Sequence, residues 1–133
     1  DVYYQPRVFP GVANVVLELK KHYFLSIASS GKQATIMRVL QQNSLDTLFD
    51  TVLATTDYSK ENMVREILEK YTALPEEAIM ITDTVGDIEI AKKIGLKTIA
   101  VTWGFQSEAI LKSAHPDCVI RSPEEIQNIL PKQ

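Results

Sequence analysis

Residues 78–95 read AIMITDTVGDIEIAKKIG, and Asp83 and Asp87 stand four apart there, just after a short apolar run. Two carboxylates and the Thr84 hydroxyl at one strand mouth suit a hard dication such as Mg2+, with water and phosphate oxygens completing its shell. The same residues also suit a plainer role, one Asp capping a helix and the other favouring its dipole from the first turn. Ser29, Ser30 and Gly31 follow another apolar run. Their hydroxyls and free backbone N–H groups would make an anion site at a helix start, or simply a Ser cap beside a permissive Gly. Lys60 falls in the first turn of a further helix, the end where the dipole disfavours a cation. A lysine there has better reason if an anion shares the space; otherwise it is a solvated side chain. Ser29, Lys60 and the Asp83/Asp87 pair thus end three successive strands, in that chain order. Together they could bring a hydroxyl, an ammonium and a metal ion to one phosphate, which is the apparatus of phosphoryl transfer.

That reading needs elements that bring the three ends to one edge. Val12, Val15, Val16 and Leu19 recur at helical spacing, so residues 12–21 are expected to form a helix opened by Pro10-Gly11. YFLSIAS (23–29) reads as a buried strand, followed by a helix over 32–42. TVLAT (51–55) is the second strand, and Ser59 caps a helix over 60–71. AIMIT (78–82) is the third strand, and the helix over 87–94 stops at Gly95. KTIAVTW (97–103) is the fourth strand, with Thr102, Trp103 and Gly104 as its rim. A short helix over 107–113, a strand stub at 118–120 and a last helix over 123–130 complete the series. The last begins at SPEE, where Ser122, Pro123 and Glu125 form a capping-box pattern. Short apolar strands alternating with helices predict an α/β fold with a mostly parallel sheet covered on both faces. Ligands of such sheets gather at the carboxyl ends of the strands, where the candidate residues lie.

The bulk properties agree with one ordinary domain. The chain has 133 residues, 45% apolar and 23% charged, with a net charge of −3. That mild acidity argues against nucleic-acid or anionic-membrane partners. No apolar run approaches the roughly 18 residues of a membrane span. Asp1-Val2-Tyr3-Tyr4 lacks the basic and apolar segments of a signal peptide. The single cysteine, Cys118, fits a reducing compartment, so a cytoplasmic location is expected.

From FPGVANVVLELKKHY to the C-terminus the sequence resembles the haloacid dehalogenase-like (HAD) hydrolases, especially their phosphoglycolate phosphatase-like branch. The family's second motif matches LSIASS at Ser29 and its third matches DYSKENMVREIL at Lys60. The fourth, Gly-Asp-x-x-x-Asp, matches ITDTVGDIEIAKKIGLKTIAVTWG at Asp83 and Asp87. The resemblance implies a three-layer αβα, Rossmann-like core, and a Mg2+-dependent phosphatase acting on a small phosphate monoester. It makes Ser29, Lys60, Asp83 and Asp87 catalytic, with Ser29, Ser30, Gly31 and Lys60 on the substrate phosphate. Asp83 would bind the metal directly, with Asp87 supporting it directly or through water.

Thr82 replaces the family's usual Gly before the first aspartate, and Ser30 its usual Asn after the second motif. The larger departure is the first motif, Asp-x-Asp-Gly-Thr, which carries the nucleophile and the general acid/base and which this sequence does not contain. In the family that motif lies on the central strand and is followed by a cap. The chain, residues 1–133, is therefore expected to be a single core unit that begins after the cap and lacks the nucleophile strand. On its own it is expected to be inactive. A slot is expected between the strands at 23–29 and 78–82, filled by a complementing chain, by a segment swapped from a second copy, or by closure of the two edges. DVYYQPRVF (1–9) is a poor local substitute because Pro6 interrupts it. Two other functions remain open. One is a catalytically inactive module that binds a phosphorylated ligand or a protein partner. The other is a receiver-like domain, disfavoured because Lys60 precedes Asp83 here, whereas in receivers the acidic pocket comes first.

Overall fold

The computed structural model describes residues 9–130. The candidate substitute strand at 1–9 therefore falls, but for Phe9, outside the described residues.

The chain runs α1 (Val12–Lys20), β1 (Ser26–Ser29), α2 (Gln33–Gln42), β2 (Thr51–Ala54), α3 (Lys60–Lys70), β3 (Ile79–Thr82), α4 (Val85–Ile94), β4 (Lys97–Val101), α5 (Glu108–Ser113), β5 (Cys118–Ile120) and α6 (Ile126–Ile129). Single 3-10 turns at Pro75–Glu77 and Pro123–Glu125 lead into β3 and α6. The first turn had no counterpart in the sequence reading, and the second replaces the opening turn of the expected last helix. Glu125 still reaches back as the capping pattern implies, accepting the Ser122 N–H at 2.8 Å and that of Arg121 at 2.6 Å. Ser59 and Ser107 cap α3 and α5, their hydroxyls accepting from Asn62 N at 3.1 Å and Ile110 N at 3.3 Å. α4 ends on Gly95 at φ 108°, a left-handed turn that glycine enters without a Cβ penalty.

Among the described residues every strand pairing is parallel. Ser26–Ser29 pair with Thr51–Ala54, Ile79–Thr82 with Lys97–Ala100, and Ile99–Val101 with Cys118–Ile120. β4 shows the alternation that layers the fold. Ile99 and Val101 face α1 and α6, packing with Val15, Ile120 and Ile126. Ala100 faces the other way, against Ile88 of α4 and Leu111 of α5. Helices thus cover both faces, as expected. Gln33 closes the outer edge of β2: its side-chain amide accepts from Ala54 N at 3.0 Å and donates to Val52 O at 3.2 Å.

The pairings fall into two sheets, β1-β2 and β3-β4-β5, and among the described residues no ladder joins β1 to β3. Closure of the two edges on each other is therefore not what fills the expected slot. The reason lies in the helices. Val64 and Leu68 of α3 pack with Ala28 of β1 and Met80 of β3, so the helix seats on both sheets and bridges them with their edges unpaired. Between them is a cleft of about 980 Å3, walled by Ser26–Ala28 and Ile79–Ile81. Ile81, on its wall, is 42% exposed. Among the described residues, no helix is long and apolar enough to cross a membrane.

Candidate functional site

The candidate residues stand on the carboxyl rim, each placed by a strand end or a helix start. Ser29 closes β1, and its hydroxyl accepts the Gly31 N–H at 3.0 Å, which tightens the turn toward α2. Ser30 beside it is exposed. Ser29 O accepts from Thr55 N at 3.1 Å, tying the ends of β1 and β2 together. Thr55 Oγ1 in turn accepts from Asp57 N at 3.0 Å, bending the chain toward the Ser59 cap. That cap makes Lys60 the first residue of α3.

Lys60 reaches across to α4. Its Nζ lies 3.0 Å from Asp87 Oδ1 and donates to Asp87 Oδ2 at 3.2 Å. The two side chains are 21% and 18% exposed, so water screens the pair only in part. Asp87 is held from the other side by Thr82, whose hydroxyl donates to Oδ2 at 2.7 Å. Thr82 is buried and also accepts from Thr84 N at 3.2 Å. Thr84 caps α4, accepting from Asp87 N at 3.3 Å. The residue that replaces the family's glycine thus ties the Asp87 carboxylate to the turn before α4 through one hydroxyl.

Asp83 lies between β3 and α4, and its Oδ2 accepts from Phe105 N at 2.7 Å. Gln106 N donates to Asp83 O at 3.3 Å, and Gln106 Oε1 accepts from Val85 N at 2.6 Å. Gly104 is backed against this carboxylate: a Cβ there would meet Asp83 Oδ2 at 2.2 Å and Asp83 Cγ at 2.6 Å.

Of the residues expected from the sequence, the structure brings Lys60 and Asp87 into direct contact, with Asp83 four residues from Asp87 across the α4 start. Ser29 shares the rim but bonds to neither Lys60 nor Asp83 among the described residues. Lys60 and Asp87 open onto the 980 Å3 cleft, whereas Asp83 lines a smaller one of about 470 Å3 with Thr82, Trp103 and Gly104. Thr82, Phe105 and Gln106 were missed as site residues. Phe105 and Gln106 lie more than twenty positions from Asp83, and only Gly104, a glycine just past a strand, hinted at a close backbone approach.

The donor chemistry fits a hard dication through Asp83. Its Oδ1 is an anionic oxygen with no hydrogen bond among the described residues, while both oxygens of Asp87 are engaged by Lys60 and Thr82. No group of three or more His, Cys, Asp or Glu side chains converges among the described residues. A Mg2+ held by one or two carboxylates and completed by water and phosphate is the arrangement such a set can serve.

Comparison with known proteins gives the family. The family pattern described as haloacid dehalogenase-like hydrolase matches residues 3–101. A phosphoglycolate phosphatase of Synechococcus elongatus is 32% identical over 122 residues, covering 90% of this chain and 58% of the relative. The pyrophosphatase PpaX of Bacillus mycoides is 32% identical over 124 residues, with the same two coverages of 90% and 58%. A haloacid dehalogenase-like hydrolase structure from Streptococcus pneumoniae superposes with a TM-score of 0.86 at 26% identity, covering 92% of this chain and 60% of that one. The chain therefore spans 58% of the length of the curated relatives it matches.

Proposed function

The chain belongs to the haloacid dehalogenase-like hydrolases, and from that premise we propose that it is the phosphate- and metal-binding half of a phosphatase acting on a small phosphate monoester. The observation that carries this reading is the Lys60–Asp87–Thr82 cluster beside Asp83, gathered on one rim of parallel strands. In this reading the Lys60 ammonium exchanges part of its attraction to Asp87 for a phosphoryl oxygen and neutralises its charge. The Ser29 hydroxyl and the Ser30 N–H hold the other oxygens, and the Gly31 N–H, which donates to Ser29 Oγ, fixes that hydroxyl in place. Asp83 Oδ1 holds Mg2+, with Asp87 as its supporting carboxylate. The ion, when bound, draws charge off the phosphate and fixes its orientation.

The nucleophile comes from a strand inserted in the cleft between β1 and β3. Such a strand would lie parallel to both and restore one five-plus-one sheet, satisfying two rows of backbone groups. It would be supplied from outside these 133 residues, since a second copy of the chain lacks Asp-x-Asp-Gly-Thr just as this one does. The relatives' names point to small phosphorylated substrates, phosphoglycolate for one and pyrophosphate for another.

The test is complementation. The 133-residue chain with Mg2+ is expected to leave an aryl phosphate intact. Adding a separately made apolar strand ending in Asp-x-Asp-Gly-Thr is expected to start hydrolysis, and Lys60→Ala or Asp83→Ala in the chain is expected to stop it. Robust turnover by the chain alone, lost on Asp83→Ala, would overturn the division of labour. Phosphate binding without turnover under every condition would favour the inactive binding module.

A further inference from the structure

We infer that Gly104, Phe105 and Gln106, the segment after β4, form a clasp that positions the Asp83 carboxylate for a divalent cation; the inference rests on Asp83 being the cation's ligand. Asp83 sits at a strand-to-helix turn, where its side chain would otherwise turn freely about two bonds. Two contacts remove that freedom, and a third residue fixes the backbone that carries the side chain. The Phe105 N–H takes Oδ2 at 2.7 Å. Gly104 stands behind the carboxylate so closely that a Cβ would fall 2.2 Å from Oδ2 and 2.3 Å from Asp83 Cβ. Gln106 holds the backbone on either side, donating to Asp83 O at 3.3 Å and accepting from Val85 N at 2.6 Å. Val85 is the first residue of α4, so its N–H lacks a helical partner and Gln106 supplies one.

The outcome is asymmetric. Oδ2 is committed to the clasp, and Oδ1 has no hydrogen bond among the described residues. A ligating carboxylate anchored through one oxygen in this way presents the other in a fixed direction. The Phe105 ring is 84% exposed. Phe105 therefore serves the clasp through its N–H, and the ring is dispensable to it. These three are positioning residues, since each acts on Asp83 or the backbone beside it.

The experiment uses the 133-residue chain and Mn2+ as the probe, with free Mn2+ read by electron paramagnetic resonance. Urea denaturation runs in parallel to confirm that each variant is folded. Gln106→Ala is expected to weaken Mn2+ binding by about tenfold or more, the usual effect of losing an outer-shell partner. Gln106→Glu keeps an acceptor for Val85 N and is expected to restore most of the affinity. Phe105→Ala keeps the N–H and is expected to bind as wild type does. Gly104→Ala is expected to bind worst. Folded Gln106→Ala with wild-type affinity, or Gln106→Glu as weak as Gln106→Ala, would overturn the clasp. The Phe105 amide proton gives a metal-free reading and is expected to move upfield in Asp83→Asn. An unmoved resonance refutes the clasp whatever the metal does. Wild-type chain that takes up no Mn2+, with the Phe105 resonance shifting as expected, refutes Asp83 as the cation's ligand and with it the clasp's purpose, while leaving its geometry standing.

Discussion

Thr82 stands where the family usually has glycine, and its hydroxyl reaches Asp87 at 2.7 Å while Lys60 grips the same carboxylate from α3. One carboxylate is thus shared by a neutral donor and a cation, all of them largely out of water. Lys60→Met keeps the stem and removes the charge. It is expected to lower stability by about 1–2 kcal/mol, because Asp87 keeps only the Thr82 bond in a partly buried place. Urea melts of the two chains measure this, and equal midpoints would mean that the pair is not formed in solution. At this scale the sequence told which residue types end the strands, because ligand sites gather there. It could not tell that Lys60 and Asp87 pair, or that Phe105 N–H faces Asp83, since those contacts join residues more than twenty positions apart. Nor did residue type foretell Thr82: it read only as a replacement for the family's glycine, and in the fold its hydroxyl holds Asp87.

Asp50 joins two elements by its side chain. It pairs with Lys20 at the end of α1 and accepts from Leu25 N at 2.8 Å just before β1. The bond from the Lys20 ammonium, then that from the Leu25 N–H, holds its carboxyl below the usual carboxylate range. Because the folded value is the lower one, the contribution to stability is complete above the unfolded value of ~3.9 and fades as pH falls through the folded value. Asp50→Asn is expected to be less stable near neutrality and to lose less on acidification than the parent chain. Thermal melts between neutrality and about pH 3 check this, and parallel curves for the two would refute it. Element types were legible from periodicity and caps, whereas their ends were less so. The strand expected over 23–29 spans only Ser26–Ser29, and that expected over 97–103 stops at Val101. The surplus apolar residues are used sideways: Phe24 stacks on Tyr71 at 4.6 Å and Trp103 on Phe9 at 5.2 Å. Apolar character does not show that a residue's backbone is in a ladder.

At the scale of the whole, the described residues form two parallel sheets bridged by helices, with an edge of β1 and an edge of β3 facing across about 980 Å3. The alternation of elements revealed the layers, and the want of an Asp-x-Asp motif revealed the gap, because a family's central strand carries both its chemistry and its neighbours' hydrogen bonds. How the halves hold together without that strand was not legible. It depends on which side chains of α3 touch both sheets, and that is a property of the packed state. Unpaired edges exchange their amide protons readily. In the isolated chain, hydrogen exchange is expected to be faster at Ser26–Ser29 and Ile79–Thr82 than in β4, which is paired on both sides. Adding an apolar strand peptide is expected to slow the first two and leave the third unchanged. Equal protection throughout without any addition would argue that the edges are already covered.

Trp103 is the only tryptophan in the sequence, and it lines both the large cleft and the smaller one beside Asp83. The chain therefore carries its own optical reporter. Excited near 295 nm, that indole is a single emitter whose colour and brightness register the wetness of the place where a strand would arrive and a phosphate would dock, without any added dye.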